Sequence, residues 1–357
     1  MSDLNVPRSG ATVVTRRRLL GGLGLALGAT AVSGCNSSAS GQRPSDTAYE
    51  SSGAGYPVTV KHRFGSTTID SSPKRIVALG QTDLDPVIAL GFTPIAVGSF
   101  EEDWYSPKQP WNASGFSADG PQEINFIDIQ PEQVAALKPD LITCVSGGLD
   151  ASKAKTLSKF CPVIGPPVGY QDYAVPYGQQ TELIGKALGR EQQARKLVAD
   201  VDAKFAAVRE AHPQWQQLTA ICAEVYGSDY DILGSSAPRT IFLTSLGFGL
   251  DPTLNALTGK DYSQALSAEK LDLIGDLDLV VWCTDAGQLE QMRSRRLIKR
   301  LPSTREGHSL WTTGDKSDRL LWAMDFSTVL SAPYAIEHGV SLIEAAVDGR
   351  DPAGQRG

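Results

Sequence analysis

The chain has 357 residues, with 33 lysines and arginines against 40 aspartates and glutamates, and its formal net charge is −7. This acidic balance argues against nucleic-acid binding and against attraction to anionic lipid, because both need a basic surface. The length is sufficient for two lobes that each have their own hydrophobic core.

The first 34 residues show the order of features that is typical of an export signal. Three consecutive arginines, Arg16 to Arg18, precede an apolar run of 14 residues, Leu19–Val32. The run is shorter than the about 20 residues that a membrane-spanning helix needs, and a basic cluster before a short apolar run indicates a cleaved signal peptide. Arginines followed by leucines are similar to the twin-arginine export signal, and an ordinary secretory signal is the alternative.

The sequence after the apolar run predicts a lipid anchor at Cys35. Val32-Ser33-Gly34-Cys35 matches the lipobox of bacterial lipoproteins, and cleavage beside an incidental cysteine is the alternative. Residues 1–34 contain four of the basic residues and one acidic residue, so the chain from Cys35 onward has a net charge of −10. Membrane attachment then has to come from the lipid. Residues 35–55 are rich in Ser and Gly, which predicts a flexible tether at the outer face of the cytoplasmic membrane.

Residues 56–176 alternate short apolar runs with short helical segments. The predicted elements are a hairpin over 58–69, strand Ile76–Leu79, helix Leu84–Leu90, strand Thr93–Val97, helix Pro131–Leu137, strand Leu141–Val145, a helix over 151–160 and strand Pro162–Gly165. Continuously apolar strands between helices indicate a parallel sheet that is covered on both faces. The pattern predicts a first α/β lobe.

Residues 177–212 predict a helical linker, and residues 213–350 predict a second α/β lobe. The linker is interrupted at Leu188–Arg190, and its second part, Glu191–Ala211, has 21 residues, or about 31 Å of helix. The elements predicted for the second lobe are strand Leu218–Val225, a helix near 240–246, strand Asp278–Cys283 and helical sequence over 326–347. The fold class is α/β, with two doubly wound parallel-sheet lobes joined by one long rigid helix.

Three segments of this pattern resemble the substrate-binding proteins of importers for iron–siderophores, haem and cobalamin, the class with a rigid linker helix. They are Arg75–Asp83, Ala89–Gly98 and Glu132–Ile142, and the resemblance covers residues 57–350. It implies a ligand cleft between the lobes of a monomer that delivers its ligand to an ABC permease dimer with a cytoplasmic ATPase. The implied ligand is a ferric siderophore, with haem and cobalamin as alternatives. An exported enzyme on a chelatase-like fold is the alternative from another functional class.

Ligands of parallel α/β sheets bind outside the carboxyl ends of the strands, and the residues predicted to bind the ligand lie there or in nearby loops. Siderophore complexes are bulky, polar and often anionic, so aromatic faces suit them, and Arg239 is a candidate for a fork-like contact with a chelate oxygen. The predicted ligand-binding residues are Gln81, Thr82, Trp104, Tyr105, Trp111, Gly147, Gly148, Tyr170, Tyr173, Tyr226, Arg239 and Tyr262. The alternative for each aromatic residue is packing in the core or a lid.

Transport of a bare metal ion and catalysis are both disfavoured. None of the four histidines follows a predicted strand, whereas a zinc or manganese site needs several histidines and carboxylates in one cleft. No metal site and no cofactor are therefore predicted. The sequence contains no G-x-S-x-G, P-loop or H-E-x-x-H motif. Asp83 and Asp85 stand at a helix start, where capping of free N–H groups is favoured over a catalytic pair.

Glu132 and Glu269 each begin a short predicted helix. The resemblance implies that one exposed glutamate on each lobe docks onto arginines of the permease, and these two occupy the matching places. The alternative is that each carboxylate stabilises the N-terminus of its own helix, and the two roles are compatible.

Four cysteines follow Cys35, an even number that permits disulfides in an exported protein. A Cys144–Cys161 or a Cys222–Cys283 bridge would lie within one lobe. The alternative is four buried thiols, since unpaired cysteine packs as a small apolar residue.

Overall fold

The computed structural model describes residues 55–99, 109–112, 120–313 and 319–350. The predicted signal peptide, the anchor at Cys35, the tether up to residue 54, and Trp104 and Tyr105 lie outside the described residues. The described residues belong to one compact unit within Ser52–Gly357. No helix in these ranges is long and apolar enough to cross a lipid bilayer.

The first lobe is built on a five-stranded sheet that follows a short antiparallel hairpin. The hairpin strands are β1 (Val58–His62) and β2 (Gly65–Ile69), and the sheet strands are β3 (Ile76–Ala78), β4 (Ala96–Ser99), β5 (Gln122–Asn125), β6 (Leu141–Thr143) and β7 (Val163–Ile164). The order across the sheet is β5-β4-β3-β6-β7, and every neighbouring pair is parallel. This confirms the parallel sheet predicted for the first lobe.

The central strand β3 shows why both faces of this sheet are covered. The helices of the lobe are α1 (Leu84–Ala89), α2 (Pro131–Ala136) and α3 (Ala151–Leu157). Ile76 and Ala78 pack in one core with α1, while Val77 and Leu79 pack in another with α2 and α3. Because successive strand side chains point to opposite faces, a continuously apolar strand needs helices on both sides.

Two helices, α4 (Tyr177–Ala187) and α5 (Glu191–Ala211), connect the lobes. Gly189, at φ 64°, separates them at the predicted interruption. In α5, Ala194 belongs to a core of the first lobe and Phe205 to a core of the second. The helix is therefore held by both lobes along its length, and it contains no proline or glycine at which a kink would form.

The second lobe contains a five-stranded sheet with parallel and antiparallel pairs. Its strands are β8 (Ala220–Tyr226), β9 (Asp229–Leu233), β10 (Ser263–Ala265), β11 (Leu279–Thr284) and β12 (Ser309–Thr313), in the order β10-β9-β8-β11-β12. β8 and β11 are parallel, as predicted. β12, which was not predicted, is parallel to β11, while β9 and β10 run antiparallel. Gly227, at φ 55°, turns the chain directly from β8 into β9, and so short a connection joins antiparallel strands.

The last helices differ from the sequence prediction in one place. The helices of the second lobe are α6 (Pro238–Ser245), α7 (Pro252–Thr258), α8 (Leu289–Ser294), α9 (Arg296–Arg300), α10 (Pro302–Arg305), α11 (Arg319–Phe326) and α12 (Ser331–Val347), with 3₁₀ helices at Pro213–Gln217, Ala268–Ile274 and Ala286–Gln288. Continuous helix over 326–347 is wrong, because Ser327, at φ 42°, ends α11. The Ser331 N–H donates to Thr328 Oγ1 at 3.0 Å and the Thr328 N–H to Ser331 Oγ at 2.8 Å. These reciprocal bonds start α12 as a separate helix.

Helix α11 also packs onto the first lobe. Trp322 and Phe326 belong to the core that contains β3 and α1. The ring of Trp111 lies edge-on to Phe326, with centroids 6.3 Å apart, and 5.3 Å from Tyr334 of α12. The linker is therefore not the only contact between the lobes.

Candidate functional site

A cavity of about 530 Å³ lies between the lobes, at the carboxyl ends of strands of the first sheet and beside β8, α6 and α11 of the second lobe. The described residues that line it are Gln81, Thr82, Phe126, Ile127, Ser146, Asp172, Tyr173, Ala174, Val175, Pro176, Tyr177, Glu224, Ser236, Pro238, Arg239, Ile241, Tyr262, Asp325, Phe326 and Ser327. Parallel strands place their carboxyl ends on one edge of a sheet, so the first lobe presents loop side chains to this space. The second lobe presents Glu224 of β8 and residues of α6 and α11.

The wall from the first lobe is ordered by the buried carboxylate of Asp83. It accepts hydrogen bonds from the N–H groups of Val145 at 2.8 Å and Ser146 at 3.0 Å. Gln180 Nε2 donates to Asp83 Oδ1 and to Thr82 Oγ1, both at 2.9 Å. Burial raises the pKa of Asp83 above its ordinary value, and the bonds from Val145 and Ser146 oppose that shift. Asp83 thus joins the ends of β3 and β6 beside the cavity.

The capping role predicted for Asp83 and Asp85 is wrong. Asp83 occupies the cap position of α1, but its side chain makes no cap hydrogen bond. Asp85 accepts from Trp111 Nε1 and Asn112 Nδ2, both at 3.0 Å, and from Thr328 Oγ1 at 2.5 Å. Burial raises the pKa of Asp85 to about 6, against these three opposing bonds. Both carboxylates therefore form tertiary hydrogen bonds with partners that are distant in sequence, and neither is used to cap the helix.

The wall from the second lobe is built around Arg239, which follows Pro238 in the first turn of α6 and is only 5% exposed. Its Nε donates to Asp325 Oδ1 at 3.1 Å, and its Nη2 donates to Glu224 Oε1. Tyr262 donates its hydroxyl hydrogen to Asp325 Oδ1 at 3.3 Å. Burial lowers the pKa of Arg239, but Asp325 and Glu224 outweigh it and hold that pKa above its usual value. The guanidinium is therefore charged and paired.

An aromatic surface completes the first-lobe wall. Tyr173, at φ 62°, lies 6.1 Å from Phe126 between ring centroids. A Cβ atom on Gly148 would lie 2.8 Å from the Tyr173 hydroxyl oxygen, and one on Gly147 would lie 2.9 Å from Cys144 Sγ. The two glycines therefore permit close packing behind the wall, and neither is among the described lining residues.

Apart from Gly147 and Gly148, which lie behind the wall, the predicted ligand-binding residues divide into three groups. Gln81, Thr82, Tyr173, Arg239 and Tyr262 line the cavity. Their contact with a ligand stays a prediction. Trp104 and Tyr105 lie outside the described residues.

The third group lies away from the lining that is described. Trp111 packs between Asp85, α11 and α12. The Tyr170 carbonyl accepts from Arg63 Nη2. The hydroxyl group of Tyr226 lies 3.2 Å from Cys283 Sγ. In the structure these side chains contact the protein itself, and a direct role in ligand binding stays a prediction for each.

The sequence analysis missed several lining residues, notably Phe126, Asp172, Glu224 and Asp325. Glu224 carried a signal, because it is a charged residue within an apolar strand and a buried charge needs a partner. Asp325 carried the same signal, since it is the only charged residue of the apolar stretch Leu320–Phe326 in α11, but the sequence does not indicate Arg239 as its partner.

Glu132 and Glu269 are both exposed, each in the first turn of a short helix. One lies on the first lobe and the other on the second. The accessibility that permease docking requires is present at both positions, and the docking itself stays a prediction.

Cys144, Cys161, Cys222 and Cys283 are free and buried, so the disulfide alternative is wrong and the buried-thiol alternative holds. Burial raises the pKa of Cys161 to about 12 and that of Cys283 to about 11, which keeps both as thiols. Within the described ranges, no group of three or more His, Cys, Asp or Glu side chains is placed to hold a metal ion.

Comparison with known proteins places these features in a family. The petrobactin-binding protein YclQ of Bacillus subtilis is 23% identical over 294 residues, covering 79% of this chain and 87% of that protein. A periplasmic solute binding protein from Mycobacterium smegmatis has a TM-score of 0.70 at 27% identity, covering 81% of this chain and 98% of the other. The iron uptake ABC transporter substrate-binding protein PiaA of Streptococcus pneumoniae, in complex with ferrichrome, has a TM-score of 0.69 at 23% identity, covering 82% and 99%.

The family that is described as periplasmic binding protein matches residues 76–312. That range begins at β3, the central strand of the first sheet, and ends within β12 at the edge of the second. It therefore includes both sheets, the linker helices and most of the cavity wall. The chain belongs to the periplasmic binding protein family.

Proposed function

We propose that this protein is the lipid-anchored binding component of an ABC importer and captures a ferric siderophore in the cavity between its lobes. The observation that carries the proposal is the cavity of about 530 Å³ with aromatic residues on one wall and a charged hydrogen-bonding cluster on the other. Cavities of about 300–1,000 Å³ with a few fixed polar groups suit small organic ligands. The iron is cargo, and the chelator supplies its ligands.

The comparisons support a binding function of this kind. YclQ is named for petrobactin binding, and PiaA is named as an ABC transporter substrate-binding protein and was solved with ferrichrome. The exported-enzyme alternative has no catalytic motif in its favour. An enzyme would convert its bound ligand, whereas a binding component releases it unchanged.

Delivery to a permease rests on two further features. The signal sequence and Cys35 support a protein anchored outside the cytoplasmic membrane. Glu132 and Glu269, one exposed on each lobe, are suited to dock onto arginines of a two-fold permease dimer. Exposed charge pairs of this kind set the encounter rate and register of a complex more than its stability.

The test is a titration of the purified protein with ferric siderophores, haemin and cobalamin, followed by tryptophan fluorescence and calorimetry. We expect saturable binding of at least one ferric siderophore, and much weaker binding of the same siderophore without iron. Recovery of the chelate unchanged after release excludes turnover. Binding of haemin or cobalamin alone, or of none of these ligands, would overturn the siderophore assignment.

A further inference from the structure

The charges on the cavity wall carry an inference about which chelates the cavity accepts. Among the described lining residues, the groups charged at neutral pH are three carboxylates and one guanidinium: Asp172, Glu224, Asp325 and Arg239. This part of the lining contains no lysine and no second arginine. The balance on the described wall is therefore negative.

Arg239 does not reverse this balance, because its own chain already neutralises it. Two of its three nitrogens donate to carboxylates, Nε to Asp325 and Nη2 to Glu224. Those side chains are 16% and 21% exposed, so solvent screens them only in part. One positive and two negative groups leave the cluster with a net negative charge, and an anionic ligand would meet both carboxylates beside the guanidinium.

The described part of the opposite wall adds no free positive charge. Asp172 pairs with Arg63, whose side chain is 30% exposed and does not line the cavity. Arg63 also donates to the Tyr170 carbonyl. Of this ion pair, Asp172 lines the cavity and Arg63 does not, so the ligand meets the carboxylate.

The remaining nitrogen of Arg239 offers no exposed donor to an anionic ligand. Nη1 is buried and has no hydrogen-bond partner among the residues described, and a buried donor without a partner is unfavourable. Since Nε and Nη2 are already bonded to Asp325 and Glu224, the guanidinium has no exposed free donor for an anionic oxygen.

We propose that the cavity selects neutral or cationic ferric chelates of the hydroxamate type and disfavours anionic catecholate and citrate chelates, an inference that rests on the proposed function. Three hydroxamate groups with one negative charge each balance the charge of Fe³⁺. Catecholate groups carry two negative charges each and leave their complex strongly anionic. The fork-like contact of Arg239 with a chelate oxygen stays a prediction, and the proposal concerns the charge that the ligand carries.

The first test compares three ferric chelates of different charge: cationic ferrioxamine B, neutral ferrichrome and anionic ferric enterobactin. We expect ferrioxamine B and ferrichrome to bind about a hundredfold more tightly than ferric enterobactin at low ionic strength. Added salt should reduce this difference in affinity. Equal or tighter binding of ferric enterobactin overturns charge selection and leaves the proposed function standing. If another ferric siderophore binds and none of these three does, charge selection alone is overturned, whereas binding of no ferric siderophore at all overturns both.

The second test changes the charge of the wall. Glu224→Gln keeps an oxygen for Arg239 Nη2, and Asp172→Asn acts at a carboxylate that is 44% exposed, so its folding is little affected. We expect each variant to strengthen ferric enterobactin binding by about tenfold, to weaken ferrioxamine B binding similarly and to change ferrichrome binding least. Glu210→Gln, an exposed position on α5, makes the same change in charge away from the lining and should alter none of the three. An equal change for all three chelates in both variants would overturn the proposal.

Discussion

The two walls of the cavity are held together in different ways. On the first wall, buried Asp83 has no cationic partner among the described residues and accepts from the backbone N–H groups of Val145 and Ser146. On the second wall, Arg239 lies between two carboxylates, one of them Glu224. The first arrangement satisfies backbone groups where two strands end, so its loss affects folding. The second sets the charge that a ligand meets, so its loss affects both folding and ligand choice.

The largest expected effect tests the exposed glutamate that each lobe carries for docking onto the permease. Glu132→Arg combined with Glu269→Arg should abolish uptake of a labelled ferric siderophore by intact cells, because both docking charges are reversed. Each single variant should reduce uptake by a similar amount if the lobes contribute equally. The melting temperature and ligand affinity should stay near those of the unmodified protein, since both side chains are exposed. Glu210→Arg on α5 is the matched control, and normal uptake by the double variant would contradict the docking role.

On the second wall, Arg239→Ala should lower the free energy of unfolding by about 3 kcal/mol, because it leaves two partly buried carboxylates unpaired. Arg239→Lys keeps the positive charge but not the planar guanidinium, so it should lower the free energy of unfolding by less than the alanine variant does. The measurement is chemical denaturation, analysed with the same dependence of the free energy of unfolding on denaturant concentration for all variants. A loss below about 1 kcal/mol in the alanine variant would mean that Glu224 and Asp325 are solvated well enough to stand alone.

On the first wall, Asp83→Ala should lower the free energy of unfolding by about 2 kcal/mol, because two buried N–H groups lose their acceptor. Asp251 offers a matched control, since it also accepts from two N–H groups, those of Thr253 and Leu254, but at the partly exposed start of α7. Asp251→Ala should lose about 1 kcal/mol. Equal losses in the two variants would show that burial adds nothing at Asp83.

Asp85, at the contact between the lobes and outside both walls, gives the sharpest test of the pH dependence of stability. Its pKa is about 6 in the folded protein against 3.8 as the ordinary value. The folded state therefore keeps this proton to a higher pH than the unfolded chain, so the free energy of unfolding falls as the pH rises from about 4 to about 6 and is level above that. Asp85→Asn should reduce this fall in urea titrations over that range, whereas Asp251→Asn should retain it. A slope that Asp85→Asn leaves unchanged would contradict the assignment.

The smallest expected effect is the movement of the two lobes relative to each other when a ligand binds. Because α5 packs in cores of both lobes and α11 packs onto the first lobe, ligand binding should change the radius of gyration little. Small-angle scattering with and without a bound ferric chelate measures this. A contraction as large as that of a hinged two-domain protein would refute a rigid linker.

Much of the fold follows from local sequence patterns, namely apolar runs and the positions of proline and glycine. Ile76–Leu79 is continuously apolar, so it has to be buried on both faces, and a parallel sheet with helices on both sides satisfies that need. Glu191–Ala211 lacks proline and glycine and ends before Pro213, which predicts its helix to the residue. The break between α11 and α12 was missed because Thr328 and Ser331 bond to each other's backbone, a capping signal that the helical composition around them conceals.

The cavity wall was only partly predictable. The rule that ligands bind at the carboxyl ends of parallel strands correctly indicated Gln81 and Thr82 as neighbours of the cavity. It did not distinguish Tyr173, which lines the cavity, from Tyr170, whose carbonyl binds Arg63. The two tyrosines lie in one loop with similar local sequence, and the direction of each side chain depends on a backbone conformation that the loop adopts only against the rest of the lobe.

The sequence by itself determined the alternation of strands and helices in much of the chain, the long linker and the family resemblance, because each depends on hydrophobic periodicity or on a contiguous motif. Strands β5, β9, β10 and β12 were not predicted. Only the tertiary structure decided the partners of the charged groups. Arg239 and Asp325 are 86 residues apart, and Asp85 and Thr328 are 243 residues apart. Pairing over such distances is decided by which buried polar groups the packed lobes bring together, since each one left unpaired would raise the free energy of the folded state. The charge of the cavity is therefore a property of the folded lobes that no segment of the chain displays alone.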